Sequence, residues 1–101
     1  MKTTLTQKNV HNKALVKRID EHVQAVAMLI DLVSDIETVI SLIEMMLEEE
    51  AENCKLEQLN VISDSRNNKL SDLKTGKFVI DLYYRHKNCF NITQLSFTIQ
   101  K

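Results

Sequence analysis

The sequence predicts an α+β protein, a long or kinked N-terminal helix followed by a C-terminal β-hairpin. Apolar residues from Val23 to Leu47 recur at steps of three and four, the period of an α-helix. Lys77 to Tyr84 alternates instead, with Phe78, Ile80, Leu82 and Tyr84 on one face and Val79, Asp81 and Tyr83 on the other, the period of a strand. The 101 residues include one glycine, Gly76, and no proline, so turns are scarce and the elements few and long. The expected organisation is a single domain over 1–101. It divides into a flexible arm at 1–9, a helical oligomerisation region at 10–52, a connecting segment at 53–76 and the hairpin at 77–100.

In the helical region Asn12 is a candidate N-cap, because its short side chain can accept from free amides of the first turn. Ser34-Asp35-Ile36-Glu37 has the form of a capping box, and the apolar steps Ile30, Val33, Ile36 slip the phase there. A helical hairpin broken near Ser34 is therefore one possibility. The absence of Gly or Pro at that junction favours the other, an unbroken or merely kinked helix about 65 Å long. Ala25, Ala27, Met28, Leu32, Val39, Leu42, Met45 and Met46 fill much of the remaining circumference, and a helix apolar nearly all round is buried. A chain this small has little of its own to bury it in. Pairing of helices from two or more copies, in the manner of a coiled coil, is expected through Val23, Val26, Leu29, Ile30, Val33, Ile36, Ile40, Ile43 and Leu47. Met28, Met45 and Met46 fit this core better than an adaptable binding surface.

Glu48-Glu49-Glu50-Ala51-Glu52 sets acids against the negative end of the helix dipole, and lysines crowd the opposite end. This is unfavourable unless the acidic tip is solvated or covered by a basic surface. Leu56, Leu59, Val61 and Ile62 suit a last helical turn or a strand equally. Ser63 to Lys69 is polar and turn-like, and Leu70 and Leu73 read as anchors returning to the core. The second strand is expected from Cys89 to Ile99. Its parity changes between Phe90/Ile92 and Leu95/Phe97/Ile99, as a β-bulge near Thr93-Gln94 would produce. An isolated hairpin is marginal in water, so it must lie on the helix, gain a third strand from 56–62, or extend a partner's sheet. Lys74 to Leu82 followed by Ile92 to Ile99 resembles the closing hairpin of contractile-tail sheath and baseplate proteins. The resemblance covers less than a third of the chain, rests on a strand–turn–strand pattern and assigns no family; it implies a strand donated to a neighbouring subunit.

Net charge is −1, but it is unevenly spread. Residues 1–18 carry five Lys/Arg and no acid, residues 19–62 carry eleven acids against Lys55, and residues 63–101 carry seven Lys/Arg against three Asp. Two basic ends flank an acidic middle. The opening residues lack the apolar core of a secretory leader, and Cys54 and Cys89 then read as reduced thiols of an intracellular, cytoplasmic protein; a disulfide between them is the alternative. No apolar run reaches the 18–20 or so residues of a membrane span.

No catalytic, metal or cofactor motif emerges. His11, His22 and His86 are scattered, and Cys89 follows His86 without the two further ligands a structural zinc needs. The glutamate run has no glycine-turned loop to wrap calcium, Ser63 and Ser65 have no base in view, and Gly76 has no phosphate-cradling neighbours. The expected function is thus a non-enzymatic assembly or interaction protein. It self-associates through its helix and presents the hairpin edge or a basic tip to a protein partner; the style of the chain suits a phage or mobile-element protein, structural or inhibitory towards its host. The alternative is a small nucleic-acid binder. Lys8, Lys13, Lys17 and Arg18 can line one side of the helix, and Arg66, Lys69, Lys77, Arg85 and Lys87 lie near Tyr83 and Tyr84, a pairing of cations with aromatics that suits single strands.

Overall fold

The computed structural model describes residues 2–29 and 36–100, without the side chains of residues 29, 36, 37, 39, 40 and 54. Its elements are β1 (Lys2–Lys8), α1 (Lys13–Leu29), α2 (Ile36–Cys54), β2 (Leu56–Ile62), α3 (Leu70–Lys74), β3 (Lys77–His86) and β4 (Thr93–Gln100). The strands form one antiparallel sheet in the order β1-β4-β3-β2. The α+β class stands, but the order is not helix followed by hairpin.

Residues 2–8 are not a free arm. They form an edge strand on β4, with Leu5 opposite Phe97, and their threonines favour extended backbone because branching at Cβ crowds a helix. Asn12 caps α1 as expected, its Oδ1 accepting from the Leu15 amide at 3.1 Å.

The apolar helical region does not run on as one rod. Arg18 on α1 reaches Glu50 near the end of α2 at 2.9 Å, and His22 Nε2 donates to the Leu42 carbonyl at 3.3 Å. The later α1 residue meets the earlier α2 residue, so the helices are antiparallel neighbours. The longest extent of the molecule is 41 Å, too short for an unbroken helix of about 65 Å. Ser34 and the proposed capping box lie outside the described residues or side chains. The hairpin also accounts for the awkward charges: the lysine-rich start of α1 lies beside the glutamate-rich end of α2. What opposes each helix dipole singly is attractive between the two.

One face of the sheet receives the helices, in two layers around one core. Val23, Val26, Ile43 and Leu47 are at most 4% exposed and pack with Ile80, Leu82, Tyr84, Leu95, Phe97 and Ile99. These four members of the expected oligomer interface are thus consumed by the chain's own core. Ile30 and Val33, with the side chains of Leu29, Ile36 and Ile40, lie outside what is described. Met28 and Met45, expected in the core, are 70% and 66% exposed.

β3 carries the alternation read from the sequence, but β4 begins only at Thr93 and pairs with β3 in unbroken register from Tyr84↔Thr93 to Lys77↔Gln100. Phe90 and Ile92 precede the strand in the connecting loop, which removes the need for a bulge at Thr93-Gln94. The bulge is in β2, between Glu57 and Asn60, where Gln58 has φ 55°. It puts Leu56 and Leu59 on the same face despite their spacing of three, so a strand there imitates helical periodicity. Both hairpin strands are flanked within the chain, by β1 and β2, which leaves neither to be donated. Leu70 is 68% exposed and is not an anchor.

Candidate interaction surface

The β3–β4 connection, residues 87–92, projects from the end of the sheet. Its backbone is held on both sides. The Lys87 amide donates to the Lys55 carbonyl at 2.8 Å, and the Cys89 amide to the His86 carbonyl at 3.0 Å. Asn88 sits at φ 68°, a left-handed conformation that asparagine tolerates better than most residues. On the return, Asn9 Nδ2 donates to the Ile92 carbonyl at 3.4 Å, and buried Thr93 donates its hydroxyl proton to the Asn9 carbonyl at 2.8 Å. Phe90, in the middle, is 99% exposed and Ile92 45%. Cys89 is a free, half-buried thiol. Nothing in the alternation of the sequence separates Phe90 from a strand residue; only the point where pairing stops does.

Behind this tip His86 stands edge-on to two rings, His11 at 5.8 Å and Tyr84 at 5.6 Å. Its Nε2 is buried without a hydrogen-bond partner. Loss of hydration, and secondarily the charge of His11, holds its pKa below the ordinary imidazole value. Among the described residues no group of three or more His, Cys, Asp or Glu could hold a metal ion. No helix among them is long and apolar enough to cross a membrane.

The expected contact residues do not form one patch. Lys77, Tyr83 and Arg85 share the sheet face turned away from the helices. Arg85 is paired with Glu57 at 2.8 Å, and Gln94 Nε2 donates to Tyr83 Oη at 3.4 Å. Lys87 is on the tip. Arg66 and Lys69 belong to the β2–α3 loop, which is fastened to the other end of β3. Arg66 is held by Asp64 at 2.7 Å, and that hydrogen bond lowers the carboxyl's pKa and raises the guanidinium's. Tyr84 is fully buried and cannot be a contact residue: the strand parity that turns Tyr83 outward turns Tyr84 into the core.

A groove of about 250 Å³ opens between α2 and β2, with Leu47, Leu59 and Val61 along its walls beside Glu44, Glu48 and Asn60. A wider one, about 470 Å³, runs between β1 and α1, lined in part by Leu5, Val10, Lys13 and Lys17. Comparison with family models, with curated proteins and with solved structures finds no match to this chain.

Proposed function

We propose that the chain is a non-enzymatic interaction protein whose contact element is the β3–β4 tip, with Phe90 as anchor and Lys87 beside it. The observation that carries this is Phe90, 99% exposed on a loop whose backbone is pinned on both sides. A bare phenyl ring leaves about 150–250 Å² of apolar surface in water, and aromatic residues are frequent anchors of protein interfaces. A loop already held in place loses less conformational freedom on binding than a slack one. The helices, by contrast, spend Val23, Val26, Ile43 and Leu47 on the sheet.

The test is Phe90→p-benzoylphenylalanine, irradiated in cells, with the same substitution at exposed Thr6 as control. A discrete protein adduct at position 90 and not at Thr6 is expected. No protein adduct at position 90 overturns the proposal.

One observation favours a second reading, nucleic-acid binding: Tyr83 and Lys77 lie on the open sheet face with the flanking Lys2 and Lys8 of β1. Fluorescence anisotropy with labelled oligothymidine separates the two. Phosphate contacts weaken steeply as salt rises, and Tyr83→Ala then lowers affinity while Phe90→Ala does not.

A further inference from the structure

We propose that the partner at the tip is a second copy of this chain, the Phe90 tip of each protomer entering the α2–β2 groove of the other. This rests on the tip being an interaction element and adds the identity of its partner.

Charge selects the groove. The tip is basic: Lys87 is exposed, and its amide bonds the carbonyl of Lys55, also exposed. Arg85 nearby is already neutralised by Glu57. The α2–β2 groove offers the complement, half-buried Leu59 and Val61 with exposed Glu44 and Glu48 beside them and no Lys or Arg lining it. The wider β1–α1 groove has Lys13 and Lys17 against Asp20 and would repel the same tip.

Position points to a closed pair. β2 is an edge strand, and its first residue, Leu56, pairs with His86 at the base of the tip. The groove is lined by residues 59–61 of the same strand, about 10–17 Å further along at the rise of an extended chain. Tip and groove therefore flank one sheet edge. A two-fold axis beside that edge brings each tip opposite the other protomer's groove, using both sites at once. No tip or groove remains for a third copy, so the assembly stops at two.

The experiment is mass in solution by light scattering and sedimentation equilibrium from micromolar to millimolar concentration. The wild-type chain is expected at twice its 11.7 kDa, and Phe90→Ala is expected to weaken association at least ~10-fold. Glu44→Lys with Glu48→Lys gives a protomer basic at both sites; Lys55→Glu with Lys87→Glu gives one acidic at both. Each doubly substituted protein alone is expected to be monomeric, and an equimolar mixture is expected to form a heterodimer, because both contacts are again complementary. All the substituted positions are exposed, and circular dichroism with the unfolding midpoint checks that folding is kept. Without any charge change, the Phe90→p-benzoylphenylalanine adduct mapped by mass spectrometry should join position 90 to residues 44–61 of a second copy.

A wild-type monomer throughout the range overturns the proposal, as does a dimer indifferent to the charge reversals or a mixture that does not associate. An adduct from position 90 to a different protein removes the second copy as partner and leaves the interaction element standing. Absence of any protein adduct removes both.

Discussion

The carboxamide of Asn68 takes both backbone groups of Val79: Nδ2 donates to the carbonyl at 2.9 Å and Oδ1 accepts from the amide at 2.7 Å. β2 pairs with β3 only as far as Ile62 opposite Asp81, so the side chain extends the ladder beyond the last paired residue. Ser63 Oγ donates to the same carbonyl at 2.8 Å, and Asn67 Nδ2 bonds the Ile62 carbonyl and Asp81 Oδ2, each at 2.8 Å. A loop of polar residues thereby closes the sheet edge in place of a longer strand.

Asn68→Ala leaves the Val79 amide without its acceptor in a site where Asn68 itself is 6% exposed. A loss of about 1–3 kcal/mol is expected, read from the urea midpoint. Asn68→Asp should be worse at neutral pH than in mild acid, because its carboxylate faces the Val79 carbonyl oxygen until it is protonated.

Leu47 and Met45 lie two residues apart on α2 but have opposite fates, 1% and 66% exposed. Leu47→Ala should cost about 2–5 kcal/mol through lost burial and the cavity left behind. Met45→Ala should stay within about 0.5 kcal/mol of wild type. Similar costs at both positions would disprove the placement of α2 on the sheet.

His86 ties stability to pH. In the fold its pKa is held below the usual 6.5, while the unfolded chain regains the usual value. The unfolded state therefore takes up the proton first as pH falls. Stability is full above the unfolded value and declines as pH drops through it towards the lowered one. The unfolding midpoint should fall from pH 8 to pH 5, and His86→Gln should flatten that slope. His11→Ala should flatten it less, since loss of hydration outranks the neighbouring charge as cause.

Gln58 has φ 55° within the β2 bulge. Gln58→Gly should be neutral or stabilising by up to about 1 kcal/mol, because glycine enters this region without a Cβ clash. Gln58→Val should destabilise, its branched side chain resisting positive φ. Equal unfolding midpoints for the two variants would argue against the bulge.

Features that depend on neighbours a few residues away can be read from the chain before it folds. Asn12 was legible as a cap because its acceptor serves the amide three residues on. Phe78, Ile80, Leu82 and Tyr84 were legible as one strand face because alternation is local. The same alternation buries Tyr84 and faces Tyr83 outward, so only one of the two tyrosines can belong to a contact surface. Periodicity shows that a face is apolar and is silent on what covers it. Val23, Val26, Ile43 and Leu47 are packed with residues of β3 and β4, up to seventy or so residues along the chain; only the return of the chain decided that. Residues 2–8 became a strand because β4 arrived beside them, Leu56 and Leu59 share a face because a single backbone angle shifted the register, and Phe90 is bare because β3–β4 pairing stops at Thr93. Each is a consequence of contacts between distant segments, where the gain from burial and hydrogen bonding outweighs weak local preference.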